Sequence, residues 1–96
     1  MTVPEPIDTS HRFRLSDRLY LKEDGDQLLA FDPKSLAVHQ LNESAAAVAR
    51  MCDGDTACEQ MVVSLVEHYG VEPREASRIV YESLKVLREK SLLDPR

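Results

Sequence analysis

The run RLYLKEDGDQLLAFDPKSLAVHQL, Arg18–Leu41, decides the fold, because it holds three apolar-patterned segments separated by two tight-turn signals. Leu19 to Glu23 sets Leu19 and Leu21 against Tyr20 and Lys22, the alternation of a half-exposed strand. Asp24-Gly25 follows, a pair suited to the positive φ of a two-residue hairpin connection. Gln27 to Phe31 is more continuously apolar and reads as a second strand. DPKS (32–35) then offers Pro33, whose fixed φ suits a type I turn, and Leu36 to Leu41 reads as the third strand. Connections this short join antiparallel neighbours, so the run predicts a three-stranded meander.

Downstream, LNESAAAVARMCDG (41–54) joins that sheet to a helix. Asn42 is a good N-cap, Leu41 can staple against Ala46, and Glu43 sits where the helix dipole favours negative charge. Ala45, Val48, Ala49 and Cys52 share one face, and Asp53-Gly54 offers a left-handed ending. TACE (56–59) has the capping-box pattern and opens a second helix, with Cys58, Met61, Val62, Leu65, Val66 and Tyr69 as its stripe. Gly70 stops it, and Pro73 starts a third helix with Ala76, Ile79, Val80, Ser83, Leu84 and Leu87 as its core face. Leu92 and Leu93 fold back as a terminal clasp. The expected architecture is α+β, a three-stranded antiparallel meander followed by three α-helices, winged-helix-like. Upstream, residues 1–11 read as a flexible tail holding Pro4 and Pro6, and residues 12–96 as one domain.

Length and composition narrow the function. Ninety-six residues support one modest core, and 43% hydrophobic with 30% charged residues describes a folded soluble chain. Charges interrupt every long apolar run, which leaves no membrane span. MTVPEPIDTS puts prolines and acids where a signal peptide needs an apolar stretch, so the expected location is cytoplasmic. A net charge of −5 weighs against nucleic-acid binding, where phosphate neutralisation dominates.

Catalytic chemistry is hard to find. No phosphate-binding loop, dinucleotide fingerprint, zinc-protease motif or nucleophile elbow occurs. Cys52, Cys58, His11, His39 and His68 match no zinc spacing, and the two cysteines read as small core residues. His39 and His68 have no nucleophile in a recognisable order, and the turn carboxylates Glu23/Asp24 and Asp53/Asp55 read as solvated. The expectation is therefore a protein that is not an enzyme, with no cofactor and no metal. One surface pattern stands out: Arg74, Arg78, Tyr81, Lys85 and Arg88 fall within about 80° of each other on the third helix. Glu75, Glu82 and Glu89 form the adjacent strip. This is either an ordinary solvated face or a partner-facing one, with Tyr81 as anchor.

The stretch from Leu36 through Leu93 resembles the PqqD-like family, small peptide-binding domains also called RiPP precursor peptide recognition elements. The resemblance rests on VHQLNESAAAVARMCDGD (38–55), MVVSLVEHYGV (61–71) and IVYESLKVLREKSLL (79–93), in which Val80, Leu84 and Leu87 match recurrent apolar positions of the closing helix. Two positions depart from the pattern: Ser91 stands where the family often has Gly, and Ile79 where it often has Asp. The resemblance implies a peptide chaperone that binds the leader segment of a ribosomally made precursor and delivers it to a maturation enzyme. A radical SAM enzyme, a cyclase or a leader peptidase would fit that role. It further implies strand addition along Leu36, Ala37, Val38, His39 and Gln40, beside Ser77, Tyr81, Leu84, Lys85 and Arg88 of the third helix.

The residues themselves agree with an open edge, since LAVHQ (36–40) lacks the proline or repeated lysines that blunt edge strands. Two rival readings stay open. One is a winged-helix DNA-binding or transcription-regulating protein, disfavoured by the net charge and by the lack of a wing after the third helix. The other is a structural interaction domain that dimerises through the same edge; the expected state is a monomer or weak homodimer.

Overall fold

The meander forms where its turns require. A computed structural model describes residues 10–94, so any reading of residues 1–9 as a flexible tail lies outside the described residues. In chain order the elements are β1 (Arg12–Arg14), β2 (Tyr20–Asp24), β3 (Gln27–Asp32), β4 (Ala37–Leu41), α1 (Glu43–Arg50), β5 (Asp53–Ala57), α2 (Cys58–Tyr69) and α3 (Pro73–Glu89). Strands β2, β3 and β4 make one antiparallel sheet in that order. Tyr20, Phe31 and Val38 lie in one cross-strand row, as do Leu21, Ala30 and His39.

Both turns differ in detail from the pattern reading. Asp24 pairs with Gln27, so the β2–β3 connection is Gly25-Asp26, and only Gly25 of the two has positive φ (61°). Glycine at the first central position is the choice of a type II′ turn. In the second turn Leu36 also has positive φ (62°), its N–H donating to the Asp32 carbonyl at 2.8 Å. Leu36 is thus a turn residue, 75% exposed, and β4 starts one residue after the predicted strand. Asp32 helps to shape this turn by accepting from Lys34 N at 2.9 Å.

Alternation along β3 buries Leu28, Ala30 and Asp32 against the helices and leaves Leu29 and Phe31 half-exposed on the other face. Asn42 caps α1 as expected, its side chain accepting from Ala45 N at 2.9 Å. The alanines and Val48 of α1 are buried, and their small size lets the helix lie between the sheet and α3.

The larger departure follows α1. It ends at Met51 in an ordinary right-handed conformation, and Asp53-Gly54 starts β5, which pairs antiparallel with β1 in a second, two-stranded sheet. The left-handed bend expected there does exist, since Gly54 has φ 84°, but it lies within a strand. Asp53 organises the segment, its carboxylate accepting from Asp55 N at 2.8 Å, Thr56 N at 2.9 Å and Thr56 Oγ1 at 3.1 Å. Thr56 is therefore spent inside β5, and the N-cap of α2 is Ala57. Only the returning half of a capping box is made, Ala57 N–H donating to Gln60 Oε1 at 2.8 Å.

Gly70 ends α2 in the left-handed region with φ 66°, and Pro73 opens α3, both as expected. Leu92 and Leu93 do fold back: Leu15 bridges to Leu93 and Ser16 N donates to the Leu92 carbonyl at 2.9 Å. That return needs Ser91 at φ 57°, so this serine takes the left-handed conformation that glycine adopts more cheaply. At the other terminus His11 is already held, its carbonyl accepting from Cys58 N at 3.2 Å and its ring 4.3 Å from that of Phe13. One core unites Phe13 and Leu28 with the inner faces of all three helices and the clasp.

Candidate functional site

The β2-β3-β4 order puts β4 at an edge of its sheet, and no strand among the described residues pairs with its outer side. Such an edge presents backbone N–H and C=O groups ready to pair with another extended segment. Side chains alternate along it: Ala37 and His39 are half-buried towards the helices, whereas Val38 (63% exposed) and Gln40 face outward. Gln40 also hydrogen-bonds the Gln27 side chain across the sheet.

Beside the end of this strand a groove runs along α3, with a volume of about 320 Å³. Gln40, Leu41 and the start of α1 form one wall, and Ile79 and Val86 give α3's wall an apolar centre beside the hydroxyl of Ser83. Charge sits at both ends. Arg78 pairs with Glu75 and with Glu82, so the three carry a net −1 together, while Lys90 lines the groove with no ion pair among the described residues.

A four-armed contact fixes the orientation of α3 against β4. Arg18 donates to both oxygens of Asp32 at 3.0 and 2.9 Å, to Ser16 Oγ at 2.7 Å and to the Ser91 carbonyl at 2.7 Å. Asp32 pairs with Ala37 across the turn, so the C-terminal end of α3 lies by the start of β4. The Arg18 hydrogen bonds hold the Asp32 carboxyl at about 2, against the opposing push of desolvation.

The ten residues expected at the site separate into groups. Ala37, Val38, His39 and Gln40 lie on β4, with Leu36 just before it in the turn. Leu84 is fully buried and belongs to the core. Ser77, Tyr81 and Arg88 lie on the flank of α3 turned away from the groove, since at 100° per residue each is about 140° or more from Val86, while Lys85 stands between the two flanks, about 20° from Arg78. On the far flank Arg88 stands over the Phe13 ring of β1, 5.8 Å from its centroid. Of the groove residues only Gln40 was among the ten; those missed include Ile79, Glu82, Ser83, Val86 and Lys90 of the α3 side. Val86 carried a signal, being an apolar residue off the core stripe in a charged strip, and it remains 37% exposed.

Elsewhere the titratable groups have structural partners. Cys52 and Cys58 are free and buried, and burial pushes the Cys52 thiol up to about 12, which opposes nucleophilic chemistry at neutral pH. His68 Nδ1 lies 3.0 Å from the Ser64 carbonyl one turn back in α2. Among the described residues no group of histidines, cysteines or carboxylates is placed to hold a metal ion, and no helix is long and apolar enough to cross a membrane.

An open strand edge beside a groove on a helix, in a small α+β domain, is an arrangement that can accept an extended segment. Residues 27–93 match the model of the family described as coenzyme PQQ synthesis protein D (PqqD), and the chain belongs to that family. Two solved structures share the fold. One is TbiB1 in complex with the TbiA(beta) leader peptide, with a TM-score of 0.75 at 17% identity, covering 86% of this chain and 96% of that one. The other is lasso peptide synthetase B1 complexed with the leader peptide, with a TM-score of 0.71 at 27% identity, covering 88% and 99%. No curated protein shows a significant match to the chain.

Proposed function

We propose that this protein binds the leader segment of a ribosomally made precursor peptide as a fourth strand on β4 and presents the precursor to a modifying enzyme. The observation that carries this reading is the unpaired β4 edge lying beside the α3 groove. Backbone pairing supplies affinity that depends little on sequence, and the groove reads alternate side chains of the added strand. Ala37, Val38, His39 and Gln40 provide the edge, while Ile79, Glu82 and Val86 provide the reading surface. The family membership and the leader-bound lasso peptide synthetase B1 support the same assignment. The protein's part is binding and delivery, and the bond-making belongs to its partner, a radical SAM enzyme, a cyclase or a leader peptidase.

The test is an NMR titration with leader segments of the precursor peptides encoded beside this protein. Amides of residues 37–41 should shift together with those of Ile79, Glu82 and Val86. Duplex DNA should leave α3 undisturbed, because the chain carries a net charge of −5 and Arg78 is already paired with two glutamates. Salt-sensitive shifts with DNA, and none with any leader, would replace this reading with the nucleic-acid one.

A further inference from the structure

The groove beside β4 is electrically two-ended, and this bears on what it accepts. Resting on the strand-addition reading above, we infer that the site selects a segment of fixed charge order: a basic residue first, a branched apolar residue in the middle and an acidic residue last, all on one face of the added strand. Four observations lead there. The Glu75–Arg78–Glu82 group is net negative towards the N-terminal end of α3, Lys90 at the other end has no ion pair among the described residues, and Ile79 and Val86 lie between them. The Arg18 bridge from Asp32 to the Ser91 carbonyl puts the Lys90 end of α3 by Ala37 and so fixes which end of β4 faces which charge.

Direction follows from strand chemistry. An antiparallel partner is the more stable addition, and it would run from the Leu41 end of β4 to the Ala37 end. Its N-terminal part then meets the two glutamates and its C-terminal part meets Lys90. Spacing follows from geometry. Arg78 and Lys90 are about 18 Å apart along the helix axis at 1.5 Å per residue, which an extended chain covers in about five residues. Side chains on one face recur every second residue, so the basic and acidic positions are about four or six residues apart, with an apolar position between them.

Arg78 has no further share in this selection. Its guanidinium is committed to Glu75 on one side and Glu82 on the other, so it subtracts from the acidic end and does not add a second cation. The ends are exposed, and each contact is individually weak and screened by salt. Their effect is therefore on register and direction, which backbone pairing alone leaves undetermined.

The experiment selects a displayed library of random strand-length peptides on the full chain, on Lys90→Glu, and on Val38→Pro and His39→Pro. Neighbouring residues of an edge strand point their N–H groups to opposite sides, so one of the two proline variants removes an outward donor and serves as the edge control once circular dichroism shows it folded. Wild-type selection should enrich Lys or Arg ahead of Val, Ile or Leu ahead of Asp or Glu, and Lys90→Glu should exchange the last preference for Lys or Arg. An enriched peptide should bind about threefold to tenfold better than the same peptide with its two charges exchanged, a ratio that shrinks towards one in high salt. Enrichment that the edge control abolishes but that shows no charge order, or an order unchanged by Lys90→Glu, overturns the inference and leaves strand addition standing. Enrichment indifferent to the edge control, or no enrichment at all, overturns both.

Discussion

Glu75, Ile79, Glu82, Val86 and Lys90 descend one flank of α3 beside the end of β4, whereas Ser77, Tyr81 and Arg88 descend the other, where Arg88 covers Phe13 of β1; Arg78 and Lys85 stand on the crest between them. The two flanks are alike in composition, each mixing cations with hydrogen-bonding or apolar groups. They differ in what stands next to them. On the first flank the neighbouring strand stops short and leaves a groove. On the second, the β1–β5 ribbon comes close enough for a ring to meet a guanidinium. An amphipathic pattern tells how deep each helix residue lies, but only the placement of the strands tells which flank is a site.

The sharpest way to break that comparison is through Leu84, which lies between the flanks at 0% exposure. Leu84→Ala should cost about 2–5 kcal/mol of stability, as deletion of a buried leucine side chain does. Chemical denaturation checks it. Unchanged stability with lost peptide binding would return Leu84 to the binding surface and redraw the boundary between core and site. Next in size is Val86→Asp, a carboxylate placed at the apolar centre of the groove. Leader affinity should fall about tenfold by fluorescence anisotropy, since even partial desolvation of a carboxylate is costly, while the folded fraction stays that of the wild type.

How far the sequence carried the fold depends on how local the cause is. The meander, the Asn42 cap, the Gly70 stop and the clasp at Leu92 and Leu93 were legible because each is set by a few adjacent residues. The β1–β5 ribbon was not. Its first strand has three residues, its register is irregular between Arg12 and Arg14, and its partner begins with a pair that also describes a helix ending. Gly54 supplied the positive φ that the pattern demanded, and only long-range pairing decided whether a cap or a strand would use it. Leu36 hid for the opposite reason, as a branched apolar residue carries no local sign of a left-handed conformation. At the site, the edge was read as residues 36–40, of which 37–40 lie on β4 and Leu36 in the turn before it. The groove was not, because it depends on where α3 lies relative to β4, and that is settled by Arg18 reaching partners fourteen and seventy-three residues away.

That same bridge gives the comparison a pH dependence. Asp32 is held at about 2 in the folded protein, below the ordinary value of about 3.9 for an unfolded aspartate. A depressed carboxylate stabilises the fold above its unfolded pKa and loses that contribution as pH falls through its folded pKa. The melting temperature of Asp32→Asn should therefore lie below that of the wild type at neutral pH, the gap closing between about pH 4 and about pH 2. Leader affinity of the wild type should weaken over the same window, because releasing Arg18 frees the C-terminal end of α3 from the start of β4. A gap that persists below pH 2 would mean that Asp32 acts through the turn it shapes with Lys34 and not through Arg18.

The smallest effect is the one that most directly separates the flanks. Tyr81→Ala and Arg88→Ala remove the two largest side chains of the far flank, and from composition alone Tyr81 and Arg88 are the natural binding anchors. Neither lines the groove, and Arg88 is engaged with Phe13. Losing that contact should cost about 0.5–1 kcal/mol of stability, the range for an exposed cation–π pair. Leader affinity should stay within about twofold of the wild type for both variants, less than a third of one hydrogen bond to a charged group. Isothermal titration of the two variants against a wild-type leader decides the matter. A loss of tenfold at Tyr81 would mean that a bound segment crosses over α3 to its far side, a path longer than one added strand, and β4 would then be only the start of the site.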